Sequence, residues 1–322
     1  RRDRGLCSAS TGLSAHKRLG TFFYVFSNYT LTKMLSPKFL RKLDNLRIVA
    51  RKMFHGRMKG ERRSPKRGAS VEFADYRNYQ IGDDFRHVDW NIYARLDKLF
   101  LKLFMEEENL NVSILLDVSG SMNFGEPSKL QYAKSIVDSL GYISLINFDI
   151  LSVYAFSNDI VSKLTSLRGK GQVFKLFDFV DKLEVDGHTD MERSFKRYAM
   201  SVVQPGVAVV VSDFLDPQGY EAGLKQLRYH RFETHIIHIL SEVEINPDIN
   251  GELSLADAET GVVKEITVTD RVMAGYQQRL KSFCESLRNF CLSQGMIYSQ
   301  VSTNTPIEEF VLKNLRCADV IG

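Results

Sequence analysis

From residue 110 onward, short, nearly continuous apolar runs alternate with longer segments whose apolar positions recur every three or four residues. The runs at 112–116, 151–156, 207–212, 234–240 and 296–301 have strand length and are rich in Val, Ile and Leu, as strands buried on both faces are. Between and after them, 130–147, 172–182, 190–202, 218–229, 272–291 and 306–315 carry helical spacing. This alternation predicts an α/β fold of three layers, with a mostly parallel sheet between helices. The stretch "SLADAETGVVKEITV" breaks the rhythm and predicts a hairpin insertion near 251–269, turning at Glu259-Thr260-Gly261.

The first third of the chain reads differently. In "SPKFLRKLDNLRIVARKMF" the apolar residues Phe39, Leu43, Leu46, Val49, Ala50 and Met53 fall three or four apart. Ser36 can cap and Pro37 suits a first turn. The spacing predicts an amphipathic helix with a basic outer face, ended by Gly56. "HGRMKGERRSPKRGAS" then reads as a charged linker. Beyond it, 71–73 predicts a short strand, 83–94 a turn or two of helix, and 99–105 an alternating strand. Three regions follow: a poorly ordered basic stretch over 1–35, a helix, linker and small β/α segment over 36–108, and the three-layer domain over 109–322.

Charge sharpens that division. Of the 43 Lys and Arg, 18 lie in residues 1–68 against three Asp and Glu, while the remaining 254 residues hold 25 against 36. A basic arm on an acidic body suggests a partner-binding segment. The four cysteines, Cys7, Cys284, Cys291 and Cys317, lack metal-ligand spacing, which fits a reducing compartment. The most apolar stretch, "GTFFYVFSNYTL", is too short to span a bilayer and has no cleavage site after it. The expectation is a cytoplasmic protein.

The candidate chemistry sits in three loops, two of them at strand ends. "SILLDVSGSMNFG" leaves an apolar strand directly into Asp117, Ser119 and Ser121. That spacing suits a hard metal ion, a phosphate or an ordinary turn. In open parallel sheets ligands bind beyond the carboxyl ends of the strands, where the strand order reverses. "DGHTDMERSF" puts Thr189 at a helix start after Gly187, and "VAVVVSDFLDP" puts Asp213 at the end of another strand. The position two residues after Asp117, where an aspartyl phosphatase needs a second acid, is Ser119. His188 stands alone in its loop. His235 and His238 are three apart on a predicted strand, so their side chains diverge. Neither a G-x-S-x-G elbow nor a Walker loop is present.

"DVSGSM", "GHTDMERSF" and "VVVSDF" resemble the three loops of the von Willebrand factor A domain, whose metal-ion-dependent adhesion site reads D-x-S-x-S, then T, then D. The resemblance implies Mg²⁺, with Mn²⁺ as a substitute. Ser119, Ser121 and Thr189 would then bind directly, Asp117 and Asp213 largely through water, and a partner's Glu or Asp would fill the last position. The preceding "VEFADYRNYQIGDDFRHVDWNIYAR" is similar to the signature of the bacterial domain-of-unknown-function 58 family, in its short branch without N-terminal membrane helices. Family genes commonly accompany MoxR-type AAA+ ATPases, which implies such an ATPase as partner. Within this signature Asp75, Arg77, Asp83, Asp84, Arg86, Asp89 and Arg95 alternate with aromatic residues. Such interleaving can build a partner surface or an ion-pair network that docks this piece onto the A-like domain, and the docking network is the favoured reading.

Three functions compete. The first is a non-enzymatic module that binds a partner's acidic side chain through Mg²⁺. The second is a metal-dependent hydrolase or phosphatase. The third is a binder of anionic membrane or nucleic acid through the basic arm. Aromatic residues 22–29 cluster apart from the basic ones, which disfavours nucleic acid, and leaves peripheral contact at the inner membrane face as the stronger form of the third. We take the first reading forward.

Overall fold

The computed structural model describes residues 35–50, 72–81, 83–105, 110–247, 251–256 and 263–322. The readings for the basic arm, the linker at 55–70 and the hairpin turn at 259–261 lie outside these residues.

Helix α1 (Pro37–Leu43) starts where the Ser36 hydroxyl accepts the Phe39 amide at 3.1 Å, and it buries Phe39 and Leu43. It stops there, whereas the apolar spacing predicts helix on to Met53, of which residues 51–53 lie outside the described residues. Arg47 and Val49 instead exchange backbone hydrogen bonds of 2.9–3.0 Å with Val320 and Gly322, and Ile48 bridges Ile321. Leu46 and Ile48 are buried on one side of this extended piece. Residues 35–50 therefore belong to the core of the three-layer body rather than to a separate N-terminal region, which corrects the boundary expected near 109.

The signature segment forms a small unit. β1 (Glu72–Asn78) is longer than the strand predicted at 71–73 and pairs antiparallel with β2 (Phe100–Met105). Between them lies α2 (Trp90–Leu96), capped by the Asp89 carboxylate, which accepts the amides of Asn91 and Ile92. Arg77 pairs with Asp83 at 2.7 Å and Arg86 with Asp84 at 2.6 Å. These pairs close within the segment rather than docking it onto the three-layer body, and being solvent-exposed they add little to stability. Trp90, the single tryptophan, is 57% exposed.

Apart from β5, the main body then follows the predicted alternation: β3 (Asn111–Asp117), α3 (Lys129–Ile146), β4 (Ile150–Phe156), β5 (Ile160–Leu167), α4 (Val173–Asp181), α5 (Met191–Ser201), β6 (Val207–Ser212), α6 (Glu221–Tyr229) and β7 (Glu233–Leu240). A four-residue helix, α7 (Glu242–Ile245), leads to the hairpin β8 (Gly251–Ala256) and β9 (Val263–Val268). The chain continues through α8 (Asp270–Ser293), β10 (Ile297–Ser302), α9 (Ile307–Glu309), a π-helical turn (Phe310–Asn314) and α10 (Leu315–Cys317).

The six-stranded sheet has the order β10-β7-β6-β3-β4-β5 and is parallel except for β5. Strand residues alternate between two cores. Ile114, Leu116, Val209 and Val211 join α1, α3, α4 and the final helices, while Leu115, Ala208 and Val210 join α5, α6 and α8. That is the expected mixed α/β arrangement of a mostly parallel sheet flanked by helices. β5 was not foreseen: it is an antiparallel edge strand whose half-buried and exposed residues alternate. Cys291 is buried, Cys284 half-buried and Cys317 exposed, and all three are free.

Among the buried polar side chains without a partner in the described residues, one is a carboxylate. Asp138 on α3 is 1% exposed, and its Oδ1 lacks a hydrogen-bond partner among the described residues. Burial, reinforced by Asp181, holds its carboxyl well above the usual range. A raised folded-state pKa stabilises the protein below the unfolded value of about 3.9, and that contribution is lost as pH rises toward the folded value. Asp138→Asn should match the wild type near pH 4 and be more stable at pH 8 by about 1 kcal/mol or more, about 1–2 °C in melting midpoint for each kcal/mol. Equal melting curves at both pH values would refute this.

Candidate functional site

The strand order reverses at β3. The chain runs from β3 to β4 and β5 on one side, then crosses to β6 on the other. Leu116 is opposite Val211 of β6, and Asp117 is opposite Phe156 of β4, so Asp117 leaves the sheet between the ends of both neighbours. This is the switch-point crevice where α/β sheets bind ligands.

Backbone bonds draw the second loop over the first. The Asp186 amide donates to the Val118 carbonyl at 2.7 Å and the Gly120 amide to the Gly187 carbonyl at 2.9 Å. Gly187 sits at φ +65°, a left-handed conformation that suits glycine. Thr189, one residue before the cap of α5, is buried at 2% exposure, and the next amide, of Asp190, donates to Ser157 at the end of β4. The third loop is tied in by Asp216, whose Oδ2 accepts the Met191 amide at the start of α5 at 2.7 Å.

The side chains meet as follows. Asp117 Oδ1 accepts the Ser119 amide at 2.9 Å, and Oδ2 accepts the Ser212 hydroxyl at 2.5 Å. The hydroxyls of Ser119 and Ser121 are 3.2 Å apart. Asp213 Oδ1 accepts the Leu215 amide at 3.1 Å, and Oδ2 accepts the Lys129 ammonium at 2.6 Å. Phe214, a bulky residue, is held at φ +58° with its amide donating to Ser212 Oγ. Such backbone strain clusters at functional sites. Asp117, Ser119 and Ser121 are thus linked side by side. Asp213 adjoins Asp117 across the strand pair, and Thr189 is brought to the same end by its loop. Asp117, Ser119 and Asp213 are fully buried, and Ser121 is half-buried.

Burial pushes the Asp117 carboxyl up to about 7, with the charge of Asp213 as the second cause, against hydrogen bonds from Ser212 and Ser119. Lys129 is the opposite case. Its burial favours the neutral amine, but Asp213 and Glu244 outweigh it and raise the pKa above the ordinary value. Burial lowers His238 to about 4, leaving a neutral imidazole whose Nδ1 is 2.8 Å from the Tyr298 hydroxyl. His235 points to the other face, 3.5 Å from Glu233, as the spacing implied. His188 is exposed.

Lys129, Glu244, Ser212 and Asp216 were not among the residues picked from sequence. A signal for Lys129 existed: a lysine directly after the Ser128 cap faces the positive end of the α3 dipole, an unfavourable place without carboxylate partners. For Glu244 it was the S-x-x-E capping box with Ser241. Among the described residues no group of three or more His, Cys, Asp or Glu is arranged to hold a metal ion. The donor set at the switch point is instead two carboxylates and three hydroxyls, all hard oxygens of the kind Mg²⁺ accepts.

The model of a family described as "protein of unknown function DUF58" matches residues 75–283. The uncharacterized protein Rv1480 of Mycobacterium tuberculosis is 23% identical over 238 residues, covering 72% of this chain and 74% of that protein. The uncharacterized protein Mb1516 of Mycobacterium bovis matches with the same figures. Among solved structures, an aerotolerance-related membrane protein from Bacteroides fragilis aligns with a TM-score of 0.41 at 17% identity, covering 66% of this chain and 98% of that one. The conserved hypothetical protein BatB from Bacteroides thetaiotaomicron aligns with a TM-score of 0.39 at 14% identity, covering 65% and 98%.

Proposed function

The chain belongs to the DUF58 family, whose function is unknown, and from that premise we propose that it is a non-enzymatic interaction module that captures an acidic side chain of a protein partner through Mg²⁺. The observation that carries this reading is Asp117. It is a fully buried carboxylate whose hydrogen-bond partners are an amide and a hydroxyl, and the charge acting on it is a second carboxylate. A divalent cation would supply the opposing charge, and the oxygens of Ser119, Ser121, Thr189 and Asp213 complete a hard donor set. The order D-x-S-x-S, T, D in three loops at one end of a mostly parallel sheet is the pattern of the von Willebrand A adhesion site, which supports the same reading.

When bound, the ion offers a Lewis-acidic position to a carboxylate from outside. The chain's own residues prepare that position. Ser119 N–H and the Ser212 hydroxyl orient Asp117, and Asp216 fixes the second and third loops to each other. The hydroxyl donors are neutral, so they leave more of the cation's charge for an incoming Glu or Asp. Position 119 carries a hydroxyl where a phosphatase would carry its general acid, which favours capture over turnover. A MoxR-type AAA+ ATPase is the partner suggested by the family resemblance. No helix among the described residues is long and apolar enough to cross a membrane.

Two measurements test the reading. Calorimetric titration with Mn²⁺ should give one site per chain, weakened roughly ten- to hundredfold in Thr189→Ala. A MoxR-type ATPase should be retained by the immobilised chain in Mg²⁺ and released by EDTA. A wild-type chain that binds no divalent cation, or retention that is equal in EDTA, would sink it.

A further inference from the structure

Lys129 is buried in a place that ordinarily rejects a cation. It occupies the first turn of α3, at the positive end of the helix dipole, and its side chain is only 1% exposed. A buried ammonium is costly unless it is paired. Here Nζ lies 2.6 Å from Asp213 Oδ2 and 2.5 Å from Glu244 Oε1, and 6.0 Å from the centre of the Phe124 ring.

The two carboxylates are fixed independently of Lys129. Asp213 Oδ1 is held by the Leu215 amide. Glu244 Oε2 accepts the Ser241 amide at 2.7 Å, and the Ser241 hydroxyl accepts the Glu244 amide. The main chain of Glu244 is tied down as well, its carbonyl accepting the Tyr276 hydroxyl at 2.8 Å. The approach of the β3–α3 loop to Ser241 is tight: Gly125 sits at φ +92°, and a Cβ there would come 2.7 Å from Ser241 Cβ.

We propose that Lys129 is a tethered cation that competes with the divalent ion for Asp213, and that Glu244 sets the terms of that competition by drawing Lys129 away. This rests on the metal-site reading above. The ammonium already neutralises one charge of a cluster containing Asp117, Asp213 and Glu244, so a divalent ion meets a weaker field than the carboxylates alone would create. Cation affinity at oxygen sites follows the charge count of the donors. Removing the lysine charge should therefore tighten divalent binding. Removing the Glu244 charge leaves Lys129 wholly to Asp213 and should loosen it. A purely structural salt bridge predicts no such opposition, because both changes would merely destabilise the fold.

The experiment is Mn²⁺ titration of the full chain, followed by calorimetry, for wild type, Lys129→Met and Glu244→Gln, with circular dichroism as the folding control. Gln at position 244 retains a capping-box side chain. The expected result is that Lys129→Met binds at least about tenfold more tightly than wild type, and Glu244→Gln more weakly by a similar factor. If Lys129→Met does not fold, Glu244→Gln decides alone: weaker binding supports the proposal, and equal or tighter binding overturns it. If the wild type binds and Lys129→Met binds equally or more weakly, the competition is refuted while the metal site stands. If only Lys129→Met binds, Lys129 blocks the site outright and the metal reading fails for the natural chain. If neither binds, both fail.

Discussion

Asp117→Ala is expected to reduce divalent-cation affinity by two orders of magnitude or more and to abolish Mg²⁺-dependent partner retention, while leaving the fold intact. Changes to groups that act on a metal through another group typically cost about 10- to 100-fold in affinity, and Asp117, acting through water, also carries the buried charge that the cation would offset. Its charge is the one that burial and Asp213 most disfavour in the absence of a cation. For the same reason its loss should not unfold the chain: a buried carboxyl pushed up to about 7 contributes little net stability at neutral pH. Asp117→Asn separates charge from shape. It retains an oxygen for the Ser119 amide, which now donates to it at 2.9 Å, yet should lose cation binding almost as completely. Melting curves show whether each variant folds, and Mn²⁺ titration shows whether it binds. Wild-type affinity in either variant would remove the carboxylate from the site.

Phe39→Ala should cost about 3–5 kcal/mol in global stability. Phe39 is 1% exposed and packs, together with Leu43, in the same cluster as Ile114, Ile143 and Phe310. Helix α1 is also fastened at its surface by Lys42 to Glu308 at 2.8 Å, and just beyond its end by the Tyr142 hydroxyl donating to Asp44 at 2.7 Å. The exposed ion pair adds little, so the effect rests on apolar packing. Urea denaturation measures it. A loss below about 1 kcal/mol would mean that α1 does not belong to the core. By the same logic, deleting residues 35–50 should be more damaging than trimming a linker.

The alternation of buried strands and amphipathic helices was readable because β3, β6 and β7 are rich in Val, Ile and Leu, with every residue of β6 and β7 buried. The meeting of the 117–121, 187–190 and 213–216 loops was readable for a related reason. A strand end followed by a loop has only one place to go in a parallel sheet, and the strand order brings β3 and β6 side by side. The end of α1 was not readable. Leu43, Leu46, Val49 and Ala50 satisfy helical spacing, while Leu46 and Ile48 equally satisfy strand spacing, and the choice is made by Val320–Gly322 at the other end of the described chain. β5 was missed because Ser162, Lys163, Thr165 and Ser166 dilute its apolar alternation at an edge that needs burial on one side only. The Lys129–Glu244 contact spans 115 positions. Local pattern carries no information about such a pair beyond the oddity of a lysine at a helix start.

The position of Trp90 decides what fluorescence reports on this molecule. With a single indole, placed 57% exposed on α2 and outside the six-stranded sheet, the tryptophan emission of the native protein should already be red-shifted. Its change on heating follows the β1–α2–β2 unit rather than the body that carries Asp117. Far-ultraviolet dichroism, weighted toward α3 and α8, follows the body. Coincident midpoints from the two signals would mark the signature segment and the sheet as one cooperative unit. An earlier fluorescence midpoint would mark the segment as a separately melting element, able to change its own order while the switch-point loops stay folded.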